Sequence, residues 1–388
     1  MVRTSSLFAV LLALVLGAAG AFAQGTARSM DFNVSIRSSA LGNASNALFW
    51  GQGIDHYGNP ALLAYVQGIR FEHGETPLIP ELDADITFKS DVVKVGVPGA
   101  GIVFSGTPFP DGVILDYGSS EGTDPSGNPT GTFGSHESVE SWGFGVSPVR
   151  LIEAALRLAG NEPADAWSRL DASFGMNFKE VFIQLAPTDG TGSTSAQDWG
   201  VFVRLTPVDL RSKDTVIPTR IDLAYGYSVL SYNDDAIITF VNSAPSPVSR
   251  HERHGAAFRA SFDHPRLLNP DPSTWAWFLK GLSPLVTVGV TTDRATIGAG
   301  GLDEGYDVSG YGFEADIANV AALRVGHYSD RDDEINDRTW GFAVGLPIGR
   351  FGGVRYEESW FPMSEDSGLA HQHRKGFSAW FDPLALRK

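Results

Sequence analysis

Alternation of apolar and polar residues with a period of two runs through most of this chain and limits its fold more than any other feature. In residues 170–178, Leu, Ala, Phe, Met and Phe alternate with Asp, Ser, Gly and Asn, and residues 221–229 and 340–346 repeat the pattern. Such spacing places one face of a strand in an apolar medium and leaves the other face polar. Further alternating segments are residues 142–146, 199–205, 256–262, 311–317, 321–328 and 377–381. The pattern predicts a single all-β domain of roughly 12 to 15 strands.

The clearest helical pattern interrupts these strands near residues 147–160. Ser147 and Pro148 supply an N-cap and a proline at the first helical position, and Gly160 supplies a C-terminal stop. The apolar residues between them fall on one helical face. We therefore expect one short amphipathic helix here, in a connection between two strands.

The first 23 residues predict export. A positive start at Arg3 precedes an apolar run over residues 7–18, and Ala21-Phe22-Ala23 forms an A-x-A site. This arrangement is typical of a signal peptide cleaved before Gln24. The alternative, a retained membrane anchor, needs a longer apolar run and a stop-transfer flank.

Composition removes several classes of protein. The chain has no cysteine, which excludes disulfide scaffolds, zinc ribbons and thiol catalysis, and its formal net charge of −16 argues against nucleic acid as a partner. Outside the N-terminal run, no stretch is long and apolar enough for a transmembrane helix. If the exported chain spans a membrane, it must therefore do so as a closed barrel.

Alternation alone does not distinguish a lipid-facing barrel from a soluble β-sandwich, because both give the same pattern. The barrel is favoured by alternation sustained over about nine residues, by a small and polar opposite face, and by aromatic residues at segment ends. These aromatic residues fit interfacial girdles: Trp142, Trp199, Tyr232, Tyr328, Trp340, Trp360 and Trp380. The alternative is a secreted sandwich that binds glycans, in which the same side chains form a core.

The segment after the predicted cleavage site resembles a known family. Residues 39–50, a stretch of small residues ending in Leu48-Phe49-Trp50, are followed by Gly58-Asn59-Pro60-Ala61-Leu62. This order is similar to the N-terminal signature of FadL-type outer-membrane proteins and the related PorV/PorQ group, although Leu62 stands where that signature has glycine. The resemblance covers residues 36–382 loosely.

The resemblance implies a transmembrane antiparallel up-and-down β-barrel of about 14 strands whose N-terminal segment forms a plug in the lumen. We accordingly expect a signal peptide over 1–23, a plug over 24–64 and the barrel over 65–388. Residues 32–64 support a plug independently, because they lack alternation yet carry large apolar side chains. The alternative is a plain periplasmic extension. The predicted plug or gate residues are Phe49, Trp50, Tyr57, Asn59, Pro60, Ala61 and Leu62.

Charged residues in phase with the polar face are the second group of candidates. In a barrel they would line the lumen, either pairing with one another as structural charge ladders, which the pattern favours, or holding the plug. They are Arg204, Arg220, Asp222, Arg259, Glu314, Asp316 and Arg324, with Arg70 and Arg355 beside them.

Signals for chemistry are weak. Asp330, Asp332 and Glu334 have the spacing of a calcium loop, but the turn glycine is missing, so a solvated acidic hairpin is the favoured interpretation. No nucleophile elbow or phosphate loop is present. The sequence predicts no catalytic residue, no cofactor and no firm metal site.

The predicted function follows from the barrel and the resemblance. We expect an outer-membrane barrel for plug-gated, non-enzymatic passage of small hydrophobic molecules such as fatty acids, with membrane lipid as its surroundings. The first alternative is an accessory of protein secretion or surface attachment, with a secretion-system partner. The second is the soluble glycan-binding sandwich.

Overall fold

A computed structural model describes residues 27–384, except 31, 52, 54, 80–82, 108–111, 124–128, 162–168, 186–190, 212–214, 234–236, 239–245, 269–275, 300–305, 332–333 and 364–370. The expected signal peptide, residues 1–23, lies outside the described residues. The strands are β1 Gly68–Ile79, β2 Asp83–Val97, β3 Ala100–Ser105, β4 Val113–Thr123, β5 Pro129–Val146, β6 Leu170–Gln184, β7 Thr191–Asp209, β8 Thr219–Leu230, β9 Ile237–Ile238, β10 Ser246–Pro247, β11 Ser249–Phe262, β12 Val286–Ala299, β13 Tyr306–Ile317, β14 Ala321–Asp330, β15 Ile335–Ile348, β16 Gly352–Pro362 and β17 His371–Phe381.

Fifteen of these strands form one closed antiparallel sheet. β1 pairs with β2 on one side and with β17 on the other, so the sheet has no free edge where its ends meet. β3 and β4 together fill one position between β2 and β5. The 15-stranded sheet is therefore a barrel with 14 strand positions, as predicted. β9 and β10 form a separate two-stranded antiparallel sheet.

The two ends of the barrel differ. At one end lie the start of β1 and the end of β17, together with the connections from β2 to β3, β13 to β14 and β15 to β16. We call this the terminal end. At the opposite end, the loop end, lie the connections from β4 to β5, β6 to β7, β12 to β13 and β14 to β15.

The wall is apolar outside and charged inside. Along β14, Leu323 is 68% exposed and Val325 55%, whereas Arg324 between them is 2% exposed. The same alternation of exposed and buried residues recurs along β6 and β15. This is the reverse of a soluble protein, which exposes charges and buries aliphatic side chains.

Helices are short and few among the described residues. They are α1 Ile36–Ser39, α2 Pro148–Leu158, α3 Pro265–Leu268 and α4 Ala276–Gly281, with 3-10 turns at Arg28–Met30 and Pro60–Tyr65. In α2, the Ser147 side chain accepts a hydrogen bond from the Arg150 amide and Pro148 begins the helix, which confirms the prediction for residues 147–160. No described helix is long and apolar enough to cross a bilayer.

The lumen is filled by the N-terminal part of the chain. We call the described residues of 27–66 the inner segment. Its largest apolar residues form one buried cluster with Val103, Phe202, Ala224 and Ala257 of the wall. A second cluster joins Met30, Phe32 and Val34 to wall residues nearer the loop end. The inner segment is therefore part of the folded core.

Glycines of the wall mark the course of the inner segment. We call them the glycine track, because a Cβ added to any of them would approach the inner segment closely. In chain order, the inner segment meets the track as follows: Ile36 at Gly376, Ala40 at Gly341, Gly42 at Gly310, Asn46 at Gly226, Asn59 at Gly200, Pro60 at Gly175, Leu63 at Gly101, Ala64 at Gly145 and Val66 at Gly96. These glycines lie on β17, β15, β13, β8, β7, β6, β3, β5 and β2. The inner segment thus follows the wall around almost the whole barrel before it enters β1.

Candidate functional site

Aromatic rings of the inner segment occupy the middle of the lumen. The Phe49 ring centroid lies 5.3 Å from Trp50, 5.8 Å from Tyr65 and 5.6 Å from Phe202 of β7. All four side chains are buried. This buried aromatic group inside the barrel includes Phe49 and Trp50, two of the residues predicted as plug or gate.

The Asn-Pro-Ala element anchors the second half of the inner segment. Asn59 caps the 3-10 turn, because its Oδ1 accepts a hydrogen bond from the Ala61 amide at 3.0 Å. Its Nδ2 donates to the carbonyl oxygens of Asn46 and of Val201 in the wall, at 3.0 and 3.1 Å. Pro60 takes the first position of the turn and Leu62 is buried. The residues that carry the family resemblance therefore fix this turn to the wall.

Tyr57 and His56 are adjacent residues of the inner segment whose surroundings shift their side-chain pKa values. Burial raises the pKa of the Tyr57 phenol to about 12, despite contacts with the hydroxyls of Ser105 and Ser141. Burial also lowers the pKa of the His56 imidazole well below its usual value, and the charges of Lys94 and Lys179 lower it further. His56 is consequently a neutral, fully buried imidazole at neutral pH.

Three of the predicted lumen charges lie in one buried network. Glu314 accepts from Arg37 of the inner segment at 2.6 Å and from Arg324 at 2.7 Å. Arg324 continues to Glu357 at 3.0 Å. Arg355 then joins Glu357 at 2.9 Å to Asp316 at 3.0 Å. Charge-assisted bonds of this kind satisfy buried ions that would otherwise be costly.

The other four predicted charges lie across the lumen. Asp222 receives Arg220 at 3.0 Å and Arg259 at 2.5 Å. The Arg204 guanidinium lies 3.5 Å from Asp171. The guanidinium carbons of Arg204 and Arg259 also lie 5.7 and 4.9 Å from the centre of the Phe49 ring. All seven predicted residues face the lumen, and these two arginines contact the aromatic group.

Several contacts between wall and inner segment involve residues that sequence reasoning missed. Asp293 accepts from the Ser45 and Asn46 amides, both at 2.9 Å. Arg374 donates to the Asn33 carbonyl and the Ser39 hydroxyl, both at 2.8 Å. Arg37 lies in a segment without alternation, so the sequence pattern could not indicate that its side chain contacts the wall. For Asp293 and Arg374, alternation with Val290, Phe377 and Phe381 was the available signal.

The expected aromatic girdle is partly wrong. Trp142, Trp199, Trp340 and Trp360 lie on the outer face, where Trp340 and Trp360 stack with centroids 3.6 Å apart. Tyr328 instead packs inside against Phe361, and Trp380 lies over Gly353 inside the wall. Both residues lie near strand ends, which is why a place in the girdle was expected. Counting alternate residues along β14 and β17 shows that both side chains point into the lumen.

The acidic hairpin offers no assembled metal site among the described residues. Asp330 is buried and accepts a hydrogen bond from the Tyr328 hydroxyl at 3.2 Å, whereas Glu334 lies in the turn. Asp332 lies outside the described residues. In the part of the chain that the structure describes, no three His, Asp or Glu side chains are grouped so that they could hold a metal ion.

Three cavities lie along the lumen. The loop-end cavity, about 100 Å³, is lined by apolar residues such as Phe32, Val113 and Val139, together with Lys179 and Arg253. The middle cavity, about 50 Å³, is lined mainly by polar residues between the inner segment and β1, β2 and β17. The terminal-end cavity, about 360 Å³, opens among the connections at that end.

Comparison with known proteins finds similarity in structure only. The toluene transporter TodX of Pseudomonas putida is 14% identical, with a TM-score of 0.38, over 89% of this chain and 96% of that chain. The toluene transporter TbuX of Ralstonia pickettii is 13% identical, with a TM-score of 0.38, over 90% and 98%. A Pseudomonas aeruginosa protein described as a FadL homologue is 8% identical, with a TM-score of 0.39, also over 90% and 98%.

No family model and no curated protein matches the chain. Identities and TM-scores as low as those of the solved structures establish neither a family nor a function. The barrel fold rests on the strand pairing described above.

Proposed function

We propose that this chain is an outer-membrane barrel that lets small hydrophobic molecules pass, with the inner segment as a non-enzymatic gate. The observation that carries the proposal is the apolar outer face. Large hydrophobic side chains are exposed on β1, β2, β3, β5–β8 and β11–β17, including Leu323, Val344 and Leu346 at 55–68%. A continuous surface of this kind is stable in lipid, whereas in water it would cause aggregation.

The height of this surface fits a membrane. On β15 the outward apolar residues run from Ile348 to Trp340. Eight steps of about 3.3 Å, on a strand tilted by about 40°, give a band of about 20 Å, close to the apolar band of outer-membrane barrels. The stacked Trp340 and Trp360 lie at its loop-end border, as interfacial aromatic residues do.

The loop-end cavity is the proposed entry site for a hydrophobic solute. It combines apolar side chains with a few charged groups, which is typical of small-molecule sites. Tyr57 closes it toward the middle cavity, because its side chain lines both. Val113 and Val139 line this cavity beside the interruption between β3 and β4, which is the proposed place for a lateral exit through the wall. Passage therefore requires displacement of Tyr57 or an opening of the wall beside Val113 and Val139.

The gate residues divide into two groups in this proposal. Phe49, Trp50 and Tyr57 are the obstacle, because they lie in the lumen or line its cavities. Asn59, Pro60, Ala61 and Leu62 are the anchor that holds one side of that obstacle to the wall. Of the seven predicted lumen charges, Glu314, Arg204 and Arg259 contact the inner segment, and the other four pair with charges of the wall.

Uptake by liposomes tests the proposal. Purified protein is reconstituted, and entry of a labelled fatty acid and of labelled toluene is followed for the unmodified chain and for Tyr57→Ala. Tyr57→Ala should admit the solute faster, while Tyr356→Ala on the outer face should leave the rate unchanged. Absence of uptake in all three proteins would remove the transport function and leave the secretion accessory as the remaining prediction. A protein that stays soluble without detergent would remove the membrane barrel.

A further inference from the structure

The three cavities follow one another from the loop end to the terminal end of the lumen. The loop-end and middle cavities share two lining residues, Val34 and Tyr57, so a single layer of side chains separates them. The middle and terminal-end cavities are both lined by β1, β2 and β17. Together they follow the barrel from the loop end to the terminal end.

Only a short distance separates the middle and terminal-end cavities. On β2, Lys94 lines the middle cavity and Gly96 lines the terminal-end cavity. On β17, Ser378 lines the middle cavity and Trp380 lines the terminal-end cavity. Residues two apart on a strand are about 6.6 Å apart. The cavities are therefore about one side-chain layer from meeting.

Arg70 lies in this layer. On β1, Glu72 lines the middle cavity and Gly68 the terminal-end cavity, and Arg70 is the lumen-facing residue between them. Glu72 lines the middle cavity and Asp382 the terminal-end cavity, and the positive charge of Arg70 interacts with both carboxylates and with Arg37 of the inner segment. Arg70 therefore lies in the layer of side chains that separates the middle cavity from the terminal-end cavity.

The opposite side of the inner segment has a different character. There its apolar side chains pack against Val103, Phe202, Ala224 and Ala257, and the nearby charges of Arg204 and Arg259 lie over the Phe49 ring. On the side of β1, β2 and β17, the middle cavity is lined by Asp55, His56, Glu72 and Lys94. The inner segment is therefore closely packed against the wall on one side and faces a cavity with charged lining residues on the other.

Polar atoms at the middle cavity call for water. Within the described part of the chain, both ring nitrogens of His56, Oδ2 of Asp55 and Oε1 of Glu72 are buried without a hydrogen-bond partner from the protein. Buried polar groups in native proteins are satisfied by protein or by water, and the cavity of about 50 Å³ has room for water. Three acceptor-bearing side chains in one small space suit a hydrated site.

We propose that this barrel has a second permeation path, for water and small inorganic ions, along β1, β2 and β17, with Arg70 as its constriction. The path differs from the proposed hydrophobic passage both in the solute it carries and in its route beyond Tyr57. Ions would cross the middle cavity beside Glu72 and Lys94 and leave through the terminal-end cavity beside Trp380.

Conductance in planar lipid bilayers bathed in potassium chloride tests this path. The unmodified protein should show small conductance steps, and Arg70→Ala should enlarge them several-fold by joining the two cavities. Arg70→Lys should behave like the unmodified protein. Arg294→Ala removes an arginine that is 70% exposed on the outer face and should change nothing.

A combined variant separates the path from a general loosening of the inner segment. Ser378→Trp fills the middle cavity from β17, so Arg70→Ala/Ser378→Trp should return the steps to their original size. If Arg70→Ala leaves the steps unchanged, or if Ser378→Trp does not reverse its effect, the path is refuted. Fatty-acid uptake in the same liposomes is expected to be unaffected by Arg70→Ala, so failure of the ion path and failure of hydrophobic transport give different results.

Discussion

Replacement of one glycine of the track by alanine tests whether the inner segment is held against the wall as described. In β8, a Cβ added to Gly226 would lie 2.1 Å from the Asn46 carbonyl oxygen, a backbone atom that cannot rotate away. Ordinary contact begins at 3.4 Å, so either β8 or the inner segment must move by about 1.3 Å, the difference between these two distances. Gly226→Ala should therefore displace the inner segment at Asn46.

The size of the effect follows from two contributions. Overpacking in a well-packed core costs about 1–3 kcal/mol. The shift also strains two hydrogen bonds, from Asn46 Nδ2 to the Gly226 carbonyl at 3.0 Å and from the Ser228 hydroxyl to Asn46 Oδ1 at 3.1 Å. Each contributes about 1 kcal/mol. We expect Gly226→Ala to lower the free energy of unfolding by about 2–4 kcal/mol.

Gly134 of β5 provides the matched control. It is another strand glycine, but nothing lies within 4 Å of an added Cβ. Alanine there should be neutral or should stabilise by up to about 1 kcal/mol, because it reduces the freedom of the unfolded chain. The two substitutions are chemically identical and should differ in the sign of their effect.

The reactivity of a cysteine introduced into the inner segment measures how often that segment separates from the wall. The chain has no cysteine of its own, and Ala47 is fully buried beside Asn46. Ala47→Cys in the Gly226→Ala background should react with a maleimide about 30-fold faster than in the Gly134→Ala background, which corresponds to 2 kcal/mol in the opening equilibrium. Equal labelling rates, together with equal unfolding free energies, would refute the close approach of wall and inner segment.

Three further predictions address the ion network, the buried histidine and the outer face. Arg37→Met leaves Glu314 buried without this partner and should cost about 3–5 kcal/mol in denaturant unfolding, part of which the added Glu314→Gln restores. His56 has a folded-state pKa below its unfolded value, so only the unfolded chain takes up a proton as the pH falls below about 6.5, and stability is lost until the pH passes the folded pKa. His56→Gln should therefore lose less stability between pH 7 and pH 5 than the unmodified chain, and identical losses would contradict a neutral buried imidazole. Leu323→Arg should cost about 2–4 kcal/mol in unfolding from lipid vesicles, whereas Leu158→Arg, in α2 outside the wall, should cost almost nothing; equal costs would argue against a lipid-facing wall.

Much of the wall could be predicted because its signal is local. Alternation with a period of two depends only on neighbouring residues, so it revealed the strands and the lumen-facing phase of residues such as Arg324 and Asp222. The helix at Ser147 and Pro148 was equally local, since cap and proline are adjacent in sequence. The same alternation places the side chains of Tyr328 and Trp380 inside the barrel, because each lies an even number of residues from a lumen-facing residue of its strand.

The contacts between wall and inner segment were not predictable, because they depend on register across the barrel. Which glycines meet the inner segment depends on how 14 strand positions are staggered, and no single strand carries that information. Arg37 illustrates the same limit. Its partner Glu314 lies 277 residues away, and nothing near either residue identifies the other.

The circuit of the inner segment inside the wall has a consequence for the order of assembly. Its contacts with the wall run from β17 through β8 to β2, so complete contact requires both the first and the last strands in the sequence. β1 begins after a single further residue, Gln67. The seam between β1 and β17 joins residues separated by about 300 positions, and closing so long a loop is slow compared with pairing neighbouring hairpins. We expect the inner segment to be enclosed as the seam closes, because a finished wall offers it no way in except through the ends. Pairing of β17 with β1 would then trap the inner segment in the lumen. Its release would require the seam to open, in addition to the loss of its contacts with the wall.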